Sequence, residues 1–456
     1  MGLNTLFSSS ISMIGNISGL GLNFSAVRDL SKANESGNKL ELSKTVSIFK
    51  WWLYGSSVLG VIAVIALSPV LSSYTFKSND YILAFIFLSL MLLFNALASG
   101  NATILQGTRN LKYFAIYSVT SSLVALLVSV PLYYYYGIKG IVPALILSPF
   151  VTYLFSLYYT SKLNIKRIKV PAGEIYHKGL SMVKLGAAMM LSTYIGSLVN
   201  YLLNTYIGTS GSYADLGFYQ AGINITSQSI GLVFTAMAID YYPKLSAISD
   251  DNFKVRDMVN QQGEVTMLIA TPILLMLIVA MPLAIRILYT ADFLPISNFI
   301  RLLSFGMFFK AASYSIGAIS FAKGDKKVFF TLEGIYSNVS MLVLCAGGYS
   351  LYGLTGLAWA FLIMHALYFI IVSFVTYKLY NFIFSPGLKK ILVVQFLFIA
   401  TAVILFVFVA EIIAYPIAGL MLLFSVLFSY KEIDKLIGIR EFVLQKLGRI
   451  SNPNPE

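Results

Sequence analysis

Two cations stand inside one long apolar run of this chain, Arg301 and Lys310. Lys310 lies 14 residues before Gly324, which opens the next basic loop, and at 1.5 Å per residue that is roughly 21 Å of helix. An ammonium at that depth is expensive in a bilayer, so it marks a site where an anion or a cavity compensates it. Arg301 sits nine residues earlier. Together the pair would attract a diphosphate, the guanidinium by two parallel hydrogen bonds and the ammonium as a point charge. Amide side chains form the second kind of chemistry. Thr193, Ser197, Asn200 and Asn204 are spaced 4, 3 and 4 apart, and Gln220, Asn224, Ser227 and Gln228 follow in the next run. Asn16 and Asn23 add a third, seven-residue spacing. Such spacings put polar groups on one helical face, and amides both donate and accept, which suits sugar hydroxyls.

The elements that must carry these residues are membrane helices. The chain has 456 residues, 58% hydrophobic and 11% charged, with a mean hydropathy of +0.79, where soluble domains average about 45–50% apolar and about 25% charged. Thirteen apolar runs cover about 5–28, 46–73, 81–106, 112–136, 140–160, 180–206, 214–242, 262–289, 295–322, 328–351, 354–377, 390–410 and 412–429. Most exceed the roughly 20 residues that span a bilayer. The expected fold class is an all-α polytopic membrane protein.

Net charge is +13. The basic residues cluster in the loops after the odd-numbered runs, and the loops between hold at most one each. That alternation is the positive-inside pattern, so the charge reads as topology with the C-terminus cytoplasmic, and nucleic acid is not an expected partner. One cysteine, Cys345, and two histidines, His177 and His365, leave no Cys/His metal site, and no cofactor is expected. None of the first five runs carries an interior Asp or Glu. The basic tail 431–449 interleaves Ile433, Leu436, Ile437, Phe442, Leu444 and Leu447, as an amphipathic interfacial helix would.

The chain also repeats itself. Tyr136-Gly137-Ile138-Lys139-Gly140 matches Tyr352-Gly353-Leu354-Thr355-Gly356 at an offset of 216, and Gly107-Thr108-Arg109 recurs as Gly324-Asp325-Lys326 one residue out of phase. Parallel copies on an axis normal to the membrane are expected. Subtracting 216 from the sixth run leads to positions before Met1, so the expected plan is two pseudo-symmetric six-helix bundles, the first lacking its first helix, plus two C-terminal helices. The corresponding divisions are 1–165, 166–385, 386–430 and a cytoplasmic tail at 431–456.

Short motifs carry a family likeness: Gly217-Phe218-Tyr219-Gln220-Ala221, Tyr242-Pro243-Lys244-Leu245-Ser246 and Ala322-Lys323-Gly324. With the repeat, they make the chain resemble the Wzx-type O-antigen and polysaccharide flippases of the multidrug/oligosaccharidyl-lipid/polysaccharide exporter superfamily. The resemblance implies a non-enzymatic protein of the bacterial inner membrane that moves an undecaprenyl-diphosphate-linked oligosaccharide between leaflets by alternating access. It implies the lipid-linked oligosaccharide and the bilayer as partners, with polysaccharide polymerase and chain-length machinery alongside. Lys310 and Arg301 would hold the diphosphate, and Asn200, Asn204, Gln220, Asn224, Gln228, Asn16 and Asn23 would line the sugar path. A cation-coupled multidrug exporter of the same superfamily is the alternative. A membrane glycosyltransferase or polymerase would need catalytic carboxylates or large outer loops, and the outer loops here are shorter than about ten residues.

Overall fold

The computed structural model describes residues 2–76, 78–166 and 168–437. Every regular element among them is helical, as the bilayer demands of a chain whose backbone groups must be satisfied within each segment. The helices are α1 (Gly2–Ser18), α2 (Leu22–Glu35), α3 (Lys39–Phe76), α4 (Ile82–Gly107), α5 (Leu111–Tyr136), α6 (Ile141–Ser161) and α7 (Ala172–Ser210). They continue with α8 (Tyr213–Ala247), α9 (Asn252–Leu288), α10 (Ser297–Lys323), α11 (Lys326–Phe329), a π-helical stretch at Phe330–Tyr336, α12 (Ser337–Tyr380), α13 (Pro386–Phe408) and α14 (Glu411–Ile437).

Nine helical stretches among the described residues are long and apolar enough to cross a membrane, and α8, bent by 45° between Thr235 and Met237, makes a tenth. Two of these, Leu111–Ser161 and Lys326–Tyr380, each fold back at a glycine and so account for two crossings apiece, giving twelve. The thirteenth expected span, 5–28, is two helices. Leu20 and Gly21 take left-handed φ of 49° and 63°, which ends α1 and redirects the chain into α2. Asn16 and Asn23 therefore stand on different helices, and their seven-residue spacing does not give them a shared face. The amphipathic segment expected at 431–449 lies outside the described residues from position 438 onward.

The repeat is visible in backbone geometry. Gly137 turns with φ 53° and ψ −126°, and Gly353 with φ 57° and ψ −142°, values open to glycine because it lacks a Cβ. The next glycine of each motif lets two helices touch. A Cβ at Gly140 would stand 2.1 Å from the Leu132 carbonyl oxygen, and one at Gly356 2.1 Å from that of Gly348. The break at Leu20 likewise falls 216 residues before the bend of α8.

The chain forms two compact units. The first takes residues up to Tyr194 with Ile239–Ser249 and Phe321–Phe330; the second takes Ile195–Ala238, Asp250–Ser320 and the chain from Thr331. In the first, Phe7, Ile11, Val64, Phe85, Leu88 and Ile141 pack α1, α3, α4 and α6 together, and Leu22, Leu30, Phe49 and Ile104 join α2 to α3 and α4. In the second, one apolar cluster runs through α7 to α10 and α12 to α14, with Met267, Leu274, Ile300, Leu303, Phe361 and Val403 among its members. Lipid tails are as apolar as these side chains, so what holds the helices is close packing and polar cross-links more than burial from water. Between α13 and α14 such a cross-link is fully buried: Ser425 donates to Gln395 Oε1 at 2.7 Å, and Gln395 Nε2 donates to Ser429 at 2.8 Å.

Candidate functional site

In the second unit α10 presents a stripe of Lys310, Tyr314 and Gly317, spaced at four and seven residues and so on one face. Lys310 is exposed, and among the described residues its ammonium makes no ion pair within 4.0 Å. Tyr314 lies flat on Phe234 of α8, ring centroids 4.5 Å apart and planes 10° apart, and its hydroxyl donates to the Phe234 carbonyl at 2.8 Å. Gly317 has no side chain because Glu333 occupies the space: a Cβ there would lie 2.8 Å from Glu333 Oε1.

Glu333 sits in the π-helical stretch. A π turn widens the helix by one residue and frees carbonyls from the regular ladder; Asn338 Nδ2 takes two of them, donating to Glu333 O at 3.0 Å and Gly334 O at 2.8 Å. The Tyr368 hydroxyl of α12 donates to the Glu333 carboxylate. His365, one turn before Tyr368, is buried and meets the Phe361 ring edge-on at 4.5 Å. Lys310 lies within electrostatic reach of both Glu333 and His365. The result is a lysine, a carboxylate, an imidazole and a phenol on three converging helical segments inside the membrane-crossing part of the unit. Such a cluster can bind an anion at the ammonium, a cation at the carboxylate, or exchange one for the other.

Arg301 does not belong to it. Nine residues are about two and a half helical turns, so Arg301 faces away from Lys310 on α10. It is 1% exposed. Its Nη1 donates to Asn298 Oδ1 at 2.7 Å, Nη2 to the Tyr415 hydroxyl at 3.2 Å and Nε to the Ile278 carbonyl at 3.3 Å. The guanidinium lies 3.7 Å from the Phe406 ring centroid and 3.7 Å from Glu411 Oε1. Arg301 thus ties α9, α10, α13 and α14 together, on the face of α10 opposite Lys310.

The amides divide as well. Gln220 Nε2 donates to Asn204 Oδ1 at 2.8 Å, joining α7 to α8, and Asn200 donates to its own helix at Gly196 O. Asn224 and Gln228 are exposed and make no hydrogen bond among the described residues. In the first unit Asn16 is exposed on α1, while Asn23 Nδ2 donates to Ser99 at 2.8 Å.

In the sequence Glu333 reads either as an ion-pair partner for Lys310 or as a carboxylate that balances lysines near a helix end, and nothing singles out Tyr368 or Asn338. One signal was available. Gly317 stands seven residues before the Gly324 turn and Glu333 nine residues after it, which in an antiparallel pair puts them at similar depth.

The fold and sequence have known counterparts. Among solved structures, a MATE protein in the bent conformation superposes with a TM-score of 0.72 at 15% identity, covering 86% of this chain and 89% of that one. An outward-facing multidrug resistance MATE family transporter of the MOP superfamily gives 0.68 at 16%, covering 85% and 88%. The Vibrio cholerae MATE transporter VcmN in the bent form gives 0.68 at 13%, covering 86% and 88%. No curated protein sequence matches the chain. The family model described as "Polysaccharide biosynthesis protein" matches residues 30–298. With more than half of its length under that match, the chain belongs to the polysaccharide biosynthesis protein family, and the fold over most of its length is MATE-like.

Proposed function

We propose that this protein is a flippase that carries an undecaprenyl-diphosphate-linked oligosaccharide from the cytoplasmic to the periplasmic leaflet of the inner membrane by alternating access, with its C-terminus in the cytoplasm. Lys310 holds the diphosphate. The exposed amides Asn200, Asn224 and Gln228 offer hydrogen bonds to the sugar, and Asn16 is a further candidate. The observation that carries this reading is the exposed ammonium of Lys310 in the interior of a membrane helix, with no ion pair within 4.0 Å among the described residues. A charge kept there at such cost serves an anionic ligand, and a family of polysaccharide biosynthesis supplies one in the lipid diphosphate.

The test is complementation of a flippase-null, polysaccharide-deficient strain. Surface polysaccharide restored by the wild-type chain and by Lys310→Arg, and lost in a well-folded Lys310→Ala, supports the reading. Normal polysaccharide from Lys310→Ala would remove the residue from the site. One observation favours a second reading: Glu333 gives the second unit an intramembrane carboxylate, which a cation-coupled exporter of the same superfamily could use. That reading predicts proton or sodium flux driven by substrate, abolished in Glu333→Gln, together with drug resistance on expression.

A further inference from the structure

The end of the first unit rich in basic loops holds an arrangement that neither the family nor the proposed substrate explains. Arg28, on α2, reaches the C-terminus of α10. Its Nε donates to the Ala322 carbonyl at 2.9 Å and its Nη2 to the Lys323 carbonyl at 3.0 Å, while Nη1 is paired with Asp29 at 2.7 Å. Those two carbonyls belong to the last turn of α10, which has no intrahelical donors left for them and carries the negative end of the helix dipole. A guanidinium suits that position better than an ammonium because its fork satisfies both acceptors at once.

The residue after α10 is shaped around this contact. Gly324 has φ 71°, and a Cβ on it would stand 2.5 Å from Arg28 Cζ. Lys323 in turn donates from Nζ to the Ser249 carbonyl at 2.7 Å, just past the end of α8. One arginine therefore secures the end of α10, and through Lys323 the end of α8, to α2. These ends, Ile239–Ser249 and Phe321–Phe330, belong to the first compact unit, whereas Tyr213–Ala238 of α8 and most of α10 belong to the second.

We propose that Arg28 is a latch: it clasps the basic ends of α8 and α10 to α2 in one state of the transport cycle and releases them in the other. The chemistry fits a contact that opens. The acceptors are neutral carbonyls that water can satisfy once the arginine leaves, and Asp29 remains as the guanidinium's counter-ion, so opening strands no buried charge. Arg301 differs in being 1% exposed and packed on the Phe406 ring, where water cannot replace its partners.

The test needs no substrate, so its failure is separate from failure of the flippase reading. Nitroxide labels are placed on the full chain in proteoliposomes at Glu35→Cys and Lys327→Cys, both exposed, in a Cys345→Ala background, and their distance distribution is measured. The wild-type latch should give a short distance with a minor longer one, and Arg28→Ala should make the longer one dominant, a population change of at least about tenfold for the loss of two charge-assisted hydrogen bonds. Arg28→Lys, which cannot fork, should fall between. A single unchanged distance in Arg28→Ala overturns the latch and leaves a static cap. Should Arg28→Ala fail to fold, Gly324→Ala decides: the added methyl displaces the guanidinium, and the longer distance must again grow or the proposal fails. As a second readout, Ser249→Cys, buried in the wild type, should react with an impermeant maleimide from the basic-loop side about tenfold faster in Arg28→Ala.

Discussion

The two copies of the repeat share a hinge and differ in what they place beside it. Gly137 and Gly353 turn the chain almost identically, and the following glycines bring the paired helices to the same close approach. Yet at the offset of 216, Arg301 corresponds to Phe85, Lys310 to Phe94, His365 to Pro149 and Tyr368 to Thr152. Phe85 is buried among Phe7 and Phe76, and Phe94 packs on Phe150 and Tyr153. One copy thus fills the positions of Arg301 and Lys310 with aromatic contacts; the other places charges there, and carries the π stretch. Duplication left two equivalent scaffolds, and ionic chemistry was built on one of them. The hinge glycine is a property of the fold, and the charge a property of one copy.

That contrast can be broken at several points. The largest effect is expected at Arg301, where the second copy departs from an aromatic to make a structural anchor. Arg301→Ala should lower stability by about 2–4 kcal/mol, for the loss of its hydrogen bonds and of a buried side chain, read as thermal unfolding in detergent, while transport per folded molecule changes little. Loss of transport at unchanged stability would return Arg301 to the binding site. Next comes Lys310→Phe, which gives the second copy the residue of the first. It should cost about two orders of magnitude in transport, as removing one partner of a desolvated charge contact does, with no fall in unfolding temperature, since the isolated cation is itself costly. Deleting Ile335 removes one residue from the π stretch. Because one residue turns a helix by about 100°, Glu333 should leave the face of Gly317 and transport should drop by about tenfold or more; equal transport would make the π stretch incidental. Smallest and most symmetric are Gly137→Ala and Gly353→Ala. Each forces a Cβ into a positive-φ position and should destabilise by about 1–2 kcal/mol, and a marked difference between them would show that the two hinges are not equivalent.

Membrane insertion, helix count and the repeat were legible in the sequence because each rests on a strong, local signal: long apolar runs, basic loops in alternation, and glycine motifs at a constant offset. The break at Leu20 was not, since left-handed backbone at a non-glycine residue follows from the packing of Gly21 against Gly186, a contact 165 residues apart in the chain. Lys310 stood out because charge in an apolar helix is conspicuous by itself. Arg301 stands out for the same reason, and the nine residues between it and Lys310 amount to about two and a half turns, which puts the two cations on opposite faces of α10. Asn204 and Gln220 show the other limit: an amide stripe looks the same whether it faces a ligand or another amide, and only the 2.8 Å bond between them tells which.

The anchoring of Arg301 also bears on how the molecule is made. Its Tyr415 partner lies 114 residues further along the chain, and Phe406 and Glu411 lie only slightly nearer. At ribosomal speeds of about 5–20 residues per second, α10 waits about 5–25 s after leaving the ribosome before the groups that neutralise its guanidinium emerge. Through that interval the arginine must rest in the translocon or at the interface, so α14 completes the seating of a helix made much earlier.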